Sequence, residues 1–273
     1  MAGDLLRIDV DQGDVTSRVF TQLEQRQLPF VLLQTVNRVA DDMKDAWRSN
    51  MAASFDRPTS FTLNSVFVQK ARYQRGSGIG DVAAVVGIKD FGGKGTPASR
   101  YLEAQVFGGA RSAKGLEAGL RRIGVLGGSE RAVPAQGAQL NGFGNIKGGV
   151  VQQILSQLGA NREVGSLSNE TDASKKRKSA NARRFFVVRG NGGRGWVKNR
   201  DGSTRGSHLH AGIYQRVGKY RLRSIFAFVR SATYKKRFDI FGIAQKVYSR
   251  RFPFYFDREM AKALETARIR GKA

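Results

Sequence analysis

The chain has 273 residues, 40% of them apolar, with no cysteine, two histidines and a net charge of +25 at neutral pH. That is enough apolar material for one large domain or two small ones with a real core. It excludes thiol catalysis, a Cys-ligated zinc and a disulfide framework, and it fits a reducing cytosol. The charge is uneven. Met1–Glu170 holds 20 Lys and Arg against 16 Asp and Glu, net +4, whereas Thr171–Ala273 holds 27 against 6, net +21. Such a field draws DNA, RNA, anionic lipid or an acidic protein surface without choosing among them. Met1–Asp4 does not lead from basic residues into an apolar stretch, so no signal peptide is expected. No apolar run nears the roughly 18 residues of a membrane span, so a soluble chain is expected.

Leu6, Ile8 and Val10 alternate with Arg7 and Asp9, the pattern of a half-buried strand. Pro29 opens a predicted helix over Phe30–Met51, with Leu32, Val36, Val39, Met43 and Trp47 as its buried stripe. Its wet face carries Asp41, Asp42 and Asp45 among basic residues. Phe61–Tyr73 and Asp81–Ile88 read as strands joined through Gly76, Gly78 and Gly80. Thr96 and Pro97 suit the cap and first position of a helix running to Phe107. Further helices are predicted over Ala113–Arg122 and Gly148–Leu158, the latter capped by Asn145, with a long loop between them. Asn161–Ala182 is polar and holds Lys175, Lys176, Arg177 and Lys178; it reads as a linker or arm, flexible unless a partner orders it. Phe185–Val188, Leu209–Arg216 and Leu222–Arg230 read as strands, with a glycine- and arginine-rich loop over Gly190–Gly206. Asp239 caps a last helix, broken at Pro253 and resumed to Arg268.

These elements imply an α+β fold, with one mostly antiparallel sheet made from both ends of the chain and covered by the N-terminal and C-terminal helices. The expected domains are residues 1–92 with 185–273 as the core, and 93–184 as a helical insertion ending in a basic arm.

Motifs for chemistry are weak. Gly92-Gly93-Lys94-Gly95-Thr96 has its leading glycine out of register for a phosphate loop, and Gly95 stands where a hydroxyl should reach Mg²⁺. His208 and His210 would share one strand face, but no third His or Cys completes a metal site. Carboxylates in the last third are few: Asp172, Asp201, Asp239, Asp257, Glu259 and Glu265. A metal-dependent nuclease needs several that converge. No enzyme, metal or cofactor is therefore expected. The basic residues Lys175, Lys176, Arg177, Lys178, Arg183, Arg184, Arg189, Arg194, Lys198 and Arg200 are candidate contacts to DNA or to an acidic partner. Phe185, Phe186 and Trp196 could stack on bases, but the favoured reading is that the Phe pair is strand core and Trp196 packs under the loop.

Several segments have a family cadence: Leu33-Gln34-Thr35-Val36-Asn37-Arg38-Val39-Ala40, Arg57-Pro58-Thr59-Ser60-Phe61-Thr62-Leu63-Asn64-Ser65, Tyr214-Gln215-Arg216-Val217-Gly218-Lys219-Tyr220 and Tyr234-Lys235-Lys236-Arg237-Phe238-Asp239. They resemble proteins of tailed-phage and prophage structural gene clusters and, more distantly, prophage minor tail protein Z and tail-completion proteins. The resemblance covers Phe30–Tyr73 and Ile213–Leu264, under half the chain, and Gly93–Arg184 is longer than that family requires. It implies a structural virion protein made in the host cytoplasm and built into the tail or neck. Its implied partners are tail-tube, terminator, connector or portal-side ring proteins, further copies of itself and packaged DNA, with no membrane. In such a ring, Asp41, Asp42 and Asp45 could meet the basic third of a neighbouring copy, or could simply be solvated. The other reading of the charge is a free nucleic-acid-binding protein without sequence preference.

Overall fold

The computed structural model describes residues 6–9, 22–72, 82–91, 96–160, 184–190, 195–198, 203–217 and 221–270. In chain order its elements are β1 (Leu6–Asp9), α1 (Gln22–Ser54), α2 (Ser60–Leu63), β2 (Val66–Gln69), β3 (Ala83–Ile88), α3 (Ala98–Phe107), β4 (Gly109–Ala110), α4 (Gly115–Arg122), β5 (Arg131–Pro134), α5 (Gly148–Gln157), β6 (Phe185–Val188), β7 (Gly195–Lys198), β8 (Thr204–Ser207), β9 (Gly212–Val217), β10 (Arg221–Val229), β11 (Thr233–Tyr234) and α6 (Ile240–Arg270). The class is α+β, as expected. The division is not. One unit is Met1–Gly109 with Lys235–Ala273, and the other is Ala110–Tyr234. The expected boundaries at 92/93 and 184/185 fail because β10 pairs with β5, a strand hidden in what read as a loop. That pairing ties residues 221–229 to the middle of the chain. The single sheet from both chain ends is likewise replaced by separate sheets.

In the first unit the expected stripe of α1 is fully buried, with Leu28, Val31, Ala40 and Met51 extending it. The helix begins before Pro29 instead of at it. An interior proline costs roughly 3 kcal/mol, but Leu28 and Val31 flank it and are both buried. Their burial contributes about 1.5–3 kcal/mol each, which outweighs the lost bond. α6 also runs unbroken through its proline, Pro253. Here Tyr248, Phe252 and Phe256 stack at four-residue spacing, with centroids 5.0 and 6.1 Å apart, and carry the helix past the ring.

α1 and α6 lie antiparallel, as their cross-links show. Trp47 donates from Nε1 to the Ile240 carbonyl at 3.1 Å. Arg251 Nε reaches Asp42 at 3.1 Å, and Tyr255 donates its hydroxyl to the same carboxylate at 2.9 Å. Arg38 meets the buried Glu259 at 3.1 Å. Phe238 sits edge-on to Trp47 and Phe55, closing the start of α6 onto the core. Asp239 caps α6 as expected, its carboxylate accepting the Gly242 N–H; the Lys236 ammonium first, and that backbone bond second, hold its pKa below the usual value.

The sheet beside α1 has order β1-β3-β2, all antiparallel. Ala84, Val86 and Ile88 of β3 alternate inward. Asn37 fixes the exit of β2: its amide donates to the Ala71 carbonyl at 3.1 Å and accepts the Ala71 N–H at 2.7 Å. The strand expected over Phe61–Tyr73 is shorter because Thr59 caps a helical turn, accepting the Thr62 N–H at 3.2 Å. In α3 the cap falls on Pro97, one residue later than expected, and makes no side-chain capping bond.

The second unit carries a four-stranded antiparallel sheet of order β5-β10-β9-β6. α4 and α5 bury Leu116, Leu120, Ile154 and Leu155 in one cluster with Phe185, Ile213 and Phe226 of that sheet. α5 starts from Lys147, so Asn145 is not its cap. β4 pairs with β11, and β7 with β8, the last a hairpin within the expected arginine-rich loop. A bulge between Ser224 and Phe226 sets the β9–β10 register. It draws the Phe226 carbonyl into the space a Cβ on Gly212 would occupy, so only glycine fits there.

One buried ion pair organises this unit. Arg111 grips Glu117 with both guanidinium nitrogens, at 2.9 and 2.5 Å. The same carboxylate accepts the backbone N–H of Lys114 at 2.8 Å and of Ala132 at 2.9 Å. It thereby links the start of α4 to the edge strand β5. Glu117 is 0% exposed. Burial pushes its pKa up, but Arg111 and the two N–H groups overcome that and hold it below the ordinary value. Glu117→Gln should leave a buried guanidinium uncompensated and destabilise this unit by about 3–5 kcal/mol, read as a lower urea midpoint. Because the folded pKa is depressed, the carboxylate's contribution is complete above about pH 4.3. It is lost as pH falls through the lower folded value. Wild type should therefore lose more stability than Glu117→Gln as pH falls from about 5 through this range; equal losses would contradict the assignment.

Candidate functional site

The fold re-sorts the charge. Unit two, Ala110–Tyr234, holds 23 Lys and Arg against 6 Asp and Glu, net +17, while unit one holds 24 against 16, net +8. The basic residues after Tyr234 thus belong with the more balanced unit. Unit two has little acid to offset its cations, and its described carboxylates are engaged internally. Glu117 is enclosed by Arg111, and Glu130 accepts the Gly127 N–H at 2.6 Å.

At one end of the β6–β9–β10 ladder the backbone brings arginines together. Arg216 donates its N–H to the Arg184 carbonyl at 2.7 Å. Across β9, Arg223 pairs with Gln215 and Arg221 with Val217. Two of these guanidinium groups are held in place. The Arg216 guanidinium lies 4.7 Å from the Phe186 ring centroid, and Phe186 stacks on Tyr214 at 5.8 Å. Gln215 orients its amide so that the carbonyl oxygen accepts from Arg184 Nε and Nη2 at 2.6 and 2.7 Å, the orientation that satisfies both groups. Arg184, Arg216 and Arg221 are exposed. Among the described residues, no carboxylate forms an ion pair with any of these four arginines.

A second basic locus lies by the β7–β8 hairpin. Arg189 and Trp196 exchange backbone bonds, and both line an open cleft with Glu130, Gly190, Ala211 and Phe228. Trp196 is 39% exposed. Arg205 faces Val197 across the hairpin and is exposed, and Lys198 lies in β7.

Of the sequence-chosen contacts, then, Arg184 stands in the arginine end, and Arg189 and Lys198 by the hairpin. Lys175, Lys176, Arg177, Lys178, Arg183, Arg194 and Arg200 lie outside the described residues, as do Gly92–Gly95 of the glycine-rich motif. Phe185 is core, whereas Phe186 is half-buried as the support of Arg216. Sequence reasoning missed Arg216, Arg221 and Arg223. The signal was the alternation Arg221-Leu222-Arg223 across from Gln215-Arg216, legible only once the two strands are paired. His208 and His210 are exposed and precede β9, which starts at Gly212 instead of Leu209, so they do not share a strand face. No three metal-ligating side chains cluster among the described residues.

The acidic face of α1 is partly engaged within its own unit. Asp41 accepts from Lys70 at 2.8 Å, and Asp42 holds Arg251 and Tyr255. The Tyr255 hydroxyl has its pKa raised by burial and by the Asp42 carboxylate. Asp45 is exposed.

No protein-family model, curated protein or solved structure matches the chain.

The acidic face yields a direct test. Asp42→Lys sets a cation against Arg251 and removes the acceptor of Tyr255, and should lower the stability of its unit by about 1–3 kcal/mol. Asp45→Lys should stay within about 0.5 kcal/mol of wild type. Chemical denaturation separates them; equal effects would mean the α1–α6 contacts at Asp42 contribute nothing.

Proposed function

We propose that the chain is a structural component of a tailed-phage particle, placed in the tail or neck and assembled there as a homo-oligomer beside other virion proteins. The observation that carries this reading is where the family-like residues fall. Asn37 clamps the end of β2, Arg38 joins α1 to Glu259, and Val39 and Ala40 are buried beneath them. Thr59 caps the turn before β2, and Phe238 and Asp239 start α6. The segments that resemble minor tail and tail-completion proteins are thus largely the joints of the first unit. A shared cadence at joints points to a shared scaffold, in which surface residues are free to vary. A strongly basic second unit suits a particle component near packaged DNA.

The second reading is a free nucleic-acid-binding protein, favoured by the +17 charge of Ala110–Tyr234. Mass spectrometry of purified particles distinguishes the two. The chain should be present at a fixed copy number, and deleting its gene should leave unjoined or tailless heads. Absence from particles, with infectious yield within a few-fold of normal after deletion, would sink the structural reading. Neither reading needs the histidines, so His208→Ala with His210→Ala should leave particle assembly within a few-fold of normal. A chelator-sensitive activity lost in that double variant would reopen an enzymatic role.

A further inference from the structure

We infer that the end of the second unit's sheet formed by Arg184, Arg216, Arg221 and Arg223 is a binding surface for the phosphate backbone of duplex DNA. Arg216 belongs to β9, Arg221 and Arg223 to β10, and Arg184 directly precedes β6, three adjacent strands. Arg216 opposes Leu222 whereas Arg223 opposes Gln215, so the pleat sets Arg216 on one face and Arg221 and Arg223 on the other; the four are gathered at the end of the sheet, not along one face. With strands about 4.8 Å apart, the row spans about 10 Å, enough to meet more than one phosphate. Like charges so gathered repel, and among the described residues no carboxylate offsets them. A regular polyanion relieves that repulsion, and binding it releases counterions.

The support beneath the row indicates how it binds. A guanidinium that must be ordered at the moment of contact loses side-chain entropy; one already held loses less. Arg216 rests on the Phe186–Tyr214 stack, and Arg184 is gripped by the Gln215 amide. Neither anchor neutralises charge. The planar fork also suits bidentate contact with a phosphate.

The stack also selects the form of nucleic acid. Arg216 lies against Phe186, and Tyr214 is buried with its hydroxyl bonded to the His210 carbonyl at 3.0 Å. The aromatic surface is therefore occupied within the protein, and unpaired bases would find little on which to stack. What remains is contact to the backbone, without sequence preference. An acidic protein would meet the same charges, but the excess is not confined to these four arginines: Asn161–Tyr234 holds 17 Lys and Arg against 4 Asp and Glu, +13 of the unit's +17. That suits a long uniform polyanion better than a local acidic patch. The inference goes beyond the particle reading and does not depend on it.

The experiment uses the full-length chain and a short fluorescent DNA duplex, with affinity followed by anisotropy across a salt series. Arg184→Gln with Arg216→Gln is compared with Arg250→Gln and Arg268→Gln, two exposed arginines on α6. Both pairs remove the same charge. The first should weaken binding about tenfold and reduce the log–log salt slope by roughly 1.8, two phosphate contacts at 0.9 each. The second should change affinity less than about threefold, and circular dichroism melting should show both variants folded. Equal weakening by both pairs would reduce the effect to net charge and overturn the site. So would an unchanged salt slope in the first pair, or polyglutamate displacing wild-type protein from duplex at equal charge concentration. A chain absent from particles whose first pair still loses duplex binding would sink the particle reading and leave this inference standing; the reverse pattern would do the opposite.

Discussion

A single indole hydrogen bond, from Trp47 to the carbonyl of Ile240, joins residues 193 positions apart. It marks one end of a seam on which the whole first unit depends. Along that seam α1 and α6 exchange bonds at Asp42, Arg251 and Tyr255, and at Arg38 and Glu259. Apolar stripes alone allow two helices to slide or rotate past one another. Polar pairs at fixed positions select one register, because any other would strand a buried group. Glu259 is buried, so its pairing with Arg38 has that selective force; the exposed Asp41–Lys70 pair has little.

The second unit solves the same problem with one centre. Glu117 satisfies a guanidinium and two backbone N–H groups at once, drawing a helix start and an edge strand to a common point. Its carboxylate is thereby withdrawn from the surface. A unit already short of acid then presents mostly cations outward, and its structural solution shapes its electrostatics. The charge excess is tolerable in a fold of this size only if a partner or counterions screen it.

Much of the architecture was legible in the sequence. The α1 stripe is unmistakable because Leu32, Val36, Val39, Met43 and Trp47 hold helical spacing over four turns, and each is buried. β3 and β6 were legible as apolar runs. The failures have physical causes. Pro29 and Pro253 read as a helix start and a break because a proline's local cost is visible while the burial that offsets it is tertiary. Arg131–Pro134 was hidden because it holds one charged residue and a proline and is a strand only at an edge, paired on one side to β10. That omission misplaced the domain boundary. The candidate site was less legible still. Arg184 was chosen for its place in a basic run, whereas Arg216, Arg221 and Arg223 become neighbours only when β9 and β10 are paired across a bulge.

The seam between α1 and α6 also carries a consequence for the order in which the molecule is made. Everything in Ala110–Tyr234 is synthesised before Ile240 and emerges from the ribosome ahead of α6, so the second unit has all its parts while the first still lacks a helix. At about 5–20 residues per second, the 193 positions between Trp47 and Ile240 take roughly 10–40 s to synthesise. Through that interval the sheet of β2 and β3 can cover part of the α1 stripe, but nothing can receive the Trp47 indole or pair with Arg38. The nascent chain thus passes through a stage with a finished basic unit and an open apolar groove upstream of it. Such a stage is exposed to chaperone capture or aggregation, and it closes only when the last helix is delivered.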